Sequence, residues 1–330
     1  MQTEKNLKKL LLKRIISKYW FFIGIAVVVL LAFNFPVAGA KIKEWNLLKI
    51  GIFIAFLITG LTLETKAIPD EIRNIKVISA AIISSLVLFP VITFFLANIF
   101  YNNTLDFVVG ACIIATAPVT VASGTVLTAI ARGNIPLSLF ICVASNFTAI
   151  FTIPFSLNLL LQFNQSMDLP VFVMIKSLIL IVLIPVIAGQ LLRMKLKHLA
   201  APYRKLFSIF AQLIVLLIIF NAVSSSTSKI SQMGYKIIFV FAFMILLHTI
   251  ILLLNFGLSR LMRLNTPSTS AFTIHTSQKT LTVSYIVWAG YFASDLPMAM
   301  IPPIAYHLTQ MIMDTCLAHR FNELAQQKKI

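Results

Sequence analysis

Charged residues are scarce in this sequence, and acidic residues are the scarcest. Only 11% of the 330 residues are charged, 10 of them acidic and 27 basic, whereas 59% are hydrophobic. A soluble core has no room for so much apolar surface, so the composition excludes a soluble domain and predicts a polytopic membrane protein within a lipid bilayer. Cysteine is also rare. The three cysteines have neither metal-site spacing nor a disulfide framework, and each lies in an apolar run as an expected small buried hydrophobe: Cys112, Cys142 and Cys316.

Motifs of catalysis are lacking as well. The chain has no His-Glu-x-x-His, no pair of aspartates and no phosphate-binding loop. Ser123 followed by Gly124, together with His275, suggests a serine–histidine dyad. However, Val121 stands where the rhomboid-type Gly-x-Ser-Gly motif needs its first glycine. An intramembrane enzyme is therefore disfavoured, and neither a catalytic residue nor a metal centre is predicted.

Long apolar runs are abundant. A spanning helix needs about 20 apolar residues, and on this measure we expect ten transmembrane helices joined by connections too short for a soluble domain. The expected spans are 18–35, 45–63, 75–100, 107–131, 135–161, 170–192, 204–223, 236–261, 267–293 and 297–319. The sequence thus predicts a single all-α transmembrane domain over residues 1–330.

The basic residues report the topology of these spans. A net charge of +17 would suit a nucleic-acid binder, but most basic residues lie between the spans, so no nucleic-acid partner is expected. The side opposite the two termini receives few of them: Lys41, Lys43, Lys49, Lys176, Lys229 and Lys236. The positive-inside rule therefore places the tails, 1–17 and 320–330, in the cytoplasm, and we expect a bacterial inner membrane.

The first span has a second interpretation. A basic start, an apolar run and the sequence Val-Ala-Gly-Ala at 37–40 also suit a cleaved signal peptide, which would leave nine spans. The apolar run from Tyr19 to Ala40 is long for a signal peptide, so a spanning helix is favoured, although cleavage within residues 1–40 stays an alternative.

Ten spans divide into two halves of opposite orientation, residues 18–161 and 170–319. Inverted five-helix repeats of this kind are common in secondary transporters. A short internal similarity supports the division, because Ser123-Gly-Thr-Val-Leu-Thr128 and Ser277-Gln-Lys-Thr-Leu-Thr282 share three of six residues, in the fourth span of each half.

Spans four and nine are too polar and too interrupted to face lipid. Pro118 and Gly124 break span four, and a broken helix leaves backbone groups that can bind a solute. The alternative is a kinked helix whose side-chain hydroxyls form hydrogen bonds with the backbone of the same helix. The candidate substrate- or ion-binding residues of these two spans are Thr120, Ser123, Gly124, Thr125, Thr128, His275, Ser277, Gln278, Lys279 and Thr282.

Lys279 is the most unusual of these residues. A charge inside a span costs several kcal/mol unless it is compensated, so a functional role is the default. A lysine that extends its ammonium to the membrane surface is disfavoured, because the span continues well past it. His275 suits a structural role and a solute ligand equally.

Two further spans carry polar faces. Asn134, Ser138 and Asn146 recur every four residues on span five and join the candidate binding residues. Span ten carries a polar stripe at i, i+3 and i+7, formed by His307, Gln310 and Asp314. The stripe is either a candidate proton relay or, the favoured interpretation, a polar seam between helices.

Five segments carry a family resemblance in order and spacing: Phe56-Leu-Ile-Thr-Gly-Leu-Thr-Leu63, Pro118 to Asn134, Ile184-Pro-Val-Ile-Ala-Gly-Gln-Leu-Leu-Arg193, Ser277-Gln-Lys-Thr-Leu281 and Tyr306-His-Leu-Thr-Gln310. They resemble the bile acid:sodium symporter superfamily, solute-carrier family 10 and its bacterial relatives, most of all the branch around its seventh human member. The resemblance implies a core domain, in which the discontinuous spans four and nine cross, beside a panel domain. It also implies alternating access for a small organic anion, often driven by sodium.

The resemblance places the family's sodium positions at Ser123, Gly124, Ser138, Cys142 and Asn146. Two positions depart from the family, because Gly124 replaces an asparagine and Cys142 replaces a hydroxyl. In span nine, sodium-coupled members carry a glutamate followed by Gln-Asn, whereas this chain has no carboxylate there before Asp295. At most a vestigial sodium site remains, at Ser123, Ser138 and Asn146.

The missing carboxylate bears on the coupling ion. Spans four, five and nine contain no acidic residue except Asp106 at the mouth of span four. Lys279 puts a positive charge where sodium would sit, and two adjacent cations repel strongly in a low dielectric. We therefore hypothesise that the Lys279 ammonium substitutes for sodium, which is a doubtful cofactor. Transport would then be sodium-independent or proton-coupled through Lys279 or His275. The alternatives are a sodium-coupled organic anion symporter and a non-transporting regulator of membrane or ion homeostasis with the same fold.

Overall fold

The structure is a computed structural model that describes residues 20–44, 46–64, 74–101, 104–165 and 168–327. Within these residues all regular structure is helical. The predicted N-terminal tail, 1–17, lies outside the described residues, as do several inner-side basic residues. The helices are α1 Trp20–Asn34, α2 Pro36–Glu44, α3 Leu47–Thr62, α4 Ile75–Phe100, α5 Leu105–Thr116, α6 Ala122–Ile130, α7 Ile135–Gln165, α8 171–200, α9 Arg204–Met233, α10 Ile237–Leu261, α11 Thr266–Ser277, α12 Leu281–Tyr291 and α13 Ile301–Gln327.

Five of these helices are long and apolar enough to cross a membrane, namely α4, α7, α8, α9 and α10. Three shorter helices, α1, α3 and α5, are also apolar. The helical architecture and these apolar helices agree with the expected polytopic membrane protein. The count of ten spans and the inverted repeat stay predictions.

The first predicted span, 18–35, agrees with α1, which ends at Asn34. Two details differ from the sequence-based expectations. The seventh span is longer than predicted, because α9 extends ten residues beyond residue 223, to Met233. Cys112 and Cys142 are buried as expected, but Cys316 is exposed on the outer face of α13. An apolar span in a membrane protein has a lipid-facing side, so hydrophobicity alone does not predict burial within the protein.

Two helices contain a widened π-turn, Ser84–Leu88 in α4 and Ile179–Leu183 in α8. Each turn comes just before a proline, Pro90 or Pro185. Proline has no N–H and its ring crowds the carbonyl four residues earlier, so the chain relieves the clash by widening the preceding turn. In α4 the amide of Phe89 donates to the Ser84 carbonyl. The carbonyl of Ser85 is therefore left without a helical donor.

The helices pack in two groups. In the first, α3 packs against α8 and α9, and α2 packs against α9. The second group contains the two interrupted helices, α5–α6 and α11–α12, which pack with α4, α7, α10 and α13. The backbones of α3 and α8 approach each other closely, because a Cβ on Gly60 would lie 2.1 Å from the Val186 carbonyl oxygen and one on Gly189 would lie 2.1 Å from that of Leu57.

Side chains of α8 also cap the end of α3. The last carbonyls of a helix have no partner within it. Gln190 donates to the carbonyls of Gly60 and Leu63 at 2.7 and 2.9 Å, and Arg193 donates to that of Leu61 at 3.1 Å. These bonds join α3 and α8 into one rigid unit.

Candidate functional site

The two interrupted helices meet at their gaps. Between α5 and α6 the chain is non-helical around Pro118, and between α11 and α12 it is non-helical at 278–280. Pro118 has no N–H to continue α5, and its ring keeps Ala117 extended. The amide of Thr280 donates to the Pro118 carbonyl at 3.0 Å. The gaps of the two interrupted helices are therefore in direct contact, and this region is called the crossing below; the core domain that the resemblance implies stays a prediction.

Side chains from neighbouring helices satisfy the polar backbone of the first gap. The Val119 amide donates to Ser145 Oγ at 3.2 Å, and its carbonyl accepts from Asn146 Nδ2 at 3.0 Å. The Thr120 carbonyl accepts from His275 Nε2 at 2.8 Å. Because buried backbone groups need partners, these bonds stabilise the break.

Lys279 fills an oxygen-lined cradle at the crossing. Its ammonium donates to the Ser85 carbonyl at 2.6 Å, to Ser85 Oγ at 3.1 Å and to the Ala117 carbonyl at 2.9 Å. The ammonium also lies 4.6 Å from the centre of the Phe89 ring, within the range of a cation–π contact. Lys279 is fully buried, and no carboxylate in the described part of the chain forms an ion pair with it.

This cradle resembles a cation site built from neutral oxygens. Carbonyl and hydroxyl oxygens are the groups that replace water around hard cations. One of the carbonyls is available because of the π-turn before Pro90, and the other because Pro118 interrupts α5. The positive charge is thus held at the point where both helices are broken.

His275 lies in the space beside Gly124. Its Nε2 donates to the Thr120 carbonyl, so its Nδ1 is free to accept from the Ser138 hydroxyl, with which it forms a short hydrogen bond. Ser138 also contacts Thr128 Oγ1 at 3.1 Å. A Cβ on Gly124 would lie 2.6 to 2.9 Å from three ring atoms of His275. Two of the family's sodium positions, Gly124 and Ser138, therefore contact an imidazole.

Gln278 connects the two gaps to α13. Its Oε1 accepts from Ser123 Oγ at 3.1 Å, and its Nε2 donates to Asp314 at 2.8 Å. Gln310 holds the next residue by its backbone, accepting from the Lys279 amide and donating to its carbonyl, both at 2.8 Å. These two hydrogen bonds from the side-chain amide of Gln310 hold the backbone of the unwound segment, as a neighbouring β-strand would.

A cavity of about 280 Å³ separates the crossing from the first group of helices. Its lining combines apolar side chains with hydroxyl, amide and imidazole groups: Thr59, Thr120, Ser123, Ser208, Gln212, Thr280, Thr282 and His307. No charged side chain of the described residues lines it, unless His307 is protonated. The first turns of α6 and α12 both open onto this cavity, and neither has a side-chain cap. Two positive helix ends therefore face the same space.

The structure brings together most of the residues singled out from the sequence. Ser123, Thr120 and Thr282 line the cavity. Thr125 and Thr128 donate to carbonyls of their own helix, as the kinked-helix alternative expected. Ser277 accepts from Asn255 and donates to the Thr273 carbonyl, which is a structural arrangement.

Asn134 lies at the beginning of α7, where its side chain accepts from the Leu137 amide and its amide donates to the Pro267 carbonyl. It therefore joins the ends of two helices.

The three residues of the polar stripe on α13 lie in three different environments. His307 faces the cavity, Gln310 holds Lys279, and Asp314 contacts His248. A hydrogen bond of 3.1 Å joins His307 to Gln310.

Sequence reasoning missed three residues of the site. Ser85 holds the Lys279 ammonium, His248 pairs with Asp314 at 2.9 Å, and Asn255 joins Ser84 at 2.5 Å to Ser277 at 2.8 Å. His248 and Asn255 could have been found as polar residues inside an apolar run. For Ser85, the available signal in the sequence was Pro90.

The serine–histidine dyad is not formed. The Ser123 hydroxyl contacts Gln278 and Thr120, whereas His275 contacts Ser138 and the Thr120 carbonyl. The imidazole is thus hydrogen-bonded through both nitrogens to other groups.

Comparisons with known proteins identify the family of the chain. Residues 19–323 match the model of the SBF-like CPA transporter family. The chain is 30% identical to a probable chloroplastic sodium/metabolite cotransporter BASS4 of Arabidopsis thaliana, over 88% of this chain and 69% of the relative. It is 25% identical to sodium/bile acid cotransporter 7-B of Xenopus laevis, over 93% and 92% of the two chains. It is also 25% identical to sodium/bile acid cotransporter 7 of Rattus norvegicus, over 93% of each chain.

These matches confirm the resemblance to the bile acid:sodium symporter superfamily and its seventh-member branch. The matched family and relatives are transporters, so the enzyme alternative is set aside.

Proposed function

The chain belongs to the SBF-like CPA transporter family, and from this premise we propose that it is a secondary active transporter of a small organic anion. It works by alternating access, with ten spans in two inverted repeats and both termini in the cytoplasm of a bacterial inner membrane. The first group of helices acts as the panel domain, and the second group, with the crossing, acts as the core domain.

The paired helix ends support an anionic substrate. The first turns of α6 and α12 present backbone N–H groups and the positive ends of two helix dipoles to one cavity. Broken helices in transporters direct such ends at anionic groups of the substrate. The lining hydroxyls and the imidazole of His307 add donors, and in the described residues no carboxylate lines the cavity to repel an anion.

The Lys279 cradle is the observation that carries our proposal for the coupling ion. An ammonium held by two carbonyls and a hydroxyl supplies the charge that a bound sodium ion would otherwise supply. It also repels a second cation at short range. We therefore assign Lys279 as a resident cation and propose that transport is independent of sodium. Ser123, Ser138 and Asn146 then form a vestigial sodium site, in which His275 occupies part of the space.

A second candidate is a sodium-coupled organic anion symporter. The names of the three relatives favour it, since all describe sodium cotransporters. A further alternative is a non-transporting regulator of membrane or ion homeostasis, because a fold does not determine a function.

Reconstitution separates these candidates. A thermal-shift screen of organic acids, with and without sodium, first identifies an anion that stabilises the purified protein. Uptake of that anion into proteoliposomes is then measured in sodium and in choline buffers. Equal uptake in both buffers is expected. Strict sodium dependence contradicts the resident-cation assignment, and absence of flux for every stabilising anion favours the regulator.

A further inference from the structure

A buried ionisable pair lies beside the crossing. His248 on α10 and Asp314 on α13 are both fully buried, with Nε2 and Oδ1 2.9 Å apart. The two residues are separated by 66 positions in the chain. It takes no part in the Lys279 cradle and does not line the cavity in the described structure.

The neighbouring tyrosine determines where protons lie on this histidine. Tyr306 has one hydroxyl proton, which it donates to the Ser277 carbonyl at 2.7 Å. Its oxygen must therefore accept from His248 Nδ1, which lies 2.7 Å away. With Nδ1 protonated, a neutral ring has only a lone pair at Nε2.

That lone pair faces a carboxylate oxygen, so the 2.9 Å contact requires one more proton between them. The pair is either an imidazolium beside a carboxylate or a neutral imidazole beside a carboxylic acid. In both cases the two residues share one proton. Loss of this proton leaves two facing lone pairs and a net negative charge in a buried position, which disfavours the observed contact.

The elements packed against α10 and α13 carry further titratable residues. They are His275 on α11, Lys279 in the gap, Tyr285 on α12, Cys112 and Asp106 on α5, and Tyr306 and His307 on α13 itself. Of these groups, only Tyr306 has a hydrogen bond to the pair in the described structure. The Lys279 ammonium donates to neutral oxygens outside the pair.

A hydrogen-bonded connection links the pair to the cavity. The second carboxylate oxygen of Asp314 accepts from Gln278 Nε2 at 2.8 Å. This orients Gln278 Oε1 toward Ser123 Oγ, which lines the cavity. A change of charge on Asp314 therefore alters the hydrogen bonding of a cavity residue through a single intervening side chain.

We propose that His248 and Asp314 form the proton-binding site that couples anion transport to proton movement. The inference rests on the proposed transport function and names its coupling site. One proton from water on one side binds between Nε2 and Oδ1, and it returns to water on the other side as the core alternates. Movement of one proton with one monovalent anion transfers no net charge.

The first test needs no substrate. Infrared difference spectra of the purified full-length protein are recorded between acidic and alkaline buffers. His248→Gln and Asp314→Asn should each remove the same proton-dependent bands, because one proton belongs to both residues. The matched controls are His319→Gln and Asp295→Asn, which alter exposed residues and should retain those bands.

If the bands are lost in only one of the two pair variants, His248→Gln and Asp314→Asn, or in neither, the proposal is overturned. If Asp314→Asn does not fold, Asp314→Glu should keep the signal at a shifted pH, and an unshifted signal contradicts the proposal.

The second test uses labelled taurocholate, a sulfonate that stays ionised and therefore does not cross as a neutral acid. Proteoliposomes without sodium are assayed for exchange and for accumulation driven by an imposed proton gradient. The ratio of accumulation to exchange should fall at least about tenfold in both pair variants and stay unchanged in both controls. An unchanged ratio in the pair variants overturns the coupling site, while exchange by the wild type still supports transport. Absence of wild-type exchange instead contradicts the proposed function for this anion, and the infrared titration then decides on the pair.

Discussion

Gly124 and His275 occupy adjoining space in which only a glycine leaves room for the imidazole. A Cβ on Gly124 would lie 2.6 Å from His275 Nε2, closer than such atoms approach in proteins. The ring cannot retreat easily, because Ser138 and the Thr120 carbonyl hold its two nitrogens. The glycine that departs from the family pattern and the histidine on the opposite helix are therefore sterically linked.

This contact predicts a coupled pair of substitutions. Gly124→Ala should lower the free energy of unfolding by about 1–3 kcal/mol, because it forces a clash in a packed site. His275→Ala in the same chain should recover part of that loss, since the added methyl group then has space. Thermal unfolding of the two single variants and the double variant measures the coupling. Gly257→Ala is the control, because a Cβ there meets no atom within 4 Å; strictly additive effects would contradict the steric link.

Removal of the Lys279 ammonium should create a sodium site. Lys279→Ala leaves the Ser85 and Ala117 oxygens without their donor, so we expect lower stability and loss of transport. Because the vacated oxygens suit a hard cation, sodium should raise the Tm of this variant relative to choline. The wild-type Tm should not differ between the two salts. A sodium-dependent Tm in the wild type, or none in Lys279→Ala, counts against the resident cation.

The π-turn in α4 should control access to Lys279. Pro90→Ala restores an amide, which allows Phe89 and residue 90 to return to α-helical bonding and take up the Ser85 carbonyl. Lys279 then loses a partner, and its reaction with an amine-specific reagent, followed by mass spectrometry, should be faster than in the wild type. Pro185→Ala is the matched control, because it changes the same kind of turn in α8, away from the crossing. Equal labelling of Lys279 in all three proteins refutes this role for Pro90.

Gln310 should be needed to hold the unwound segment. Gln310→Leu leaves the amide and the carbonyl of Lys279 buried without partners. Each unsatisfied group costs about 1–3 kcal/mol, so for the two groups we expect a loss of roughly 2–6 kcal/mol in the free energy of unfolding. Denaturant unfolding in detergent measures it. Gln326→Leu, which changes an exposed residue of the same helix, should change stability little; similar losses in both variants would show that the two backbone bonds are unimportant.

Gly189 should tolerate no side chain. Its Cβ position lies 2.1 Å from a backbone oxygen of α3 and 2.7 Å from the amide nitrogen of Leu61, and backbone does not move aside as a flexible side chain does. Gly189→Ala should therefore separate α3 from α8, weaken the capping by Gln190 and lower the Tm. Gly290→Ala, at a position with open space, should leave the Tm unchanged or raise it slightly. A wild-type Tm for Gly189→Ala would exclude close packing between these helices.

The positions of the helices were largely predictable because apolar runs are a local property of the chain. The predicted span 75–100 coincides with α4, and span four is interrupted at Pro118 as predicted. Gly124, the second residue expected to break span four, instead lies within α6. The break in span nine, at 278–280, falls among its predicted polar residues. The chemical partners were less predictable. A hydroxyl on a helix, such as that of Thr128 on α6, can bond its own backbone or a group on another helix, and only the packing decides between them.

The sequence by itself determined that this is a helical membrane protein with two interrupted helices and an uncompensated lysine, since hydropathy, proline and charge act locally. Only the tertiary structure decided that Lys279 meets Ser85 and that Asp314 meets His248, across 194 and 66 residues of chain. The physical reason is that a buried charge or polar group needs partners with a specific geometry. Those partners come from distant helices whose approach depends on packing, and no local pattern records it.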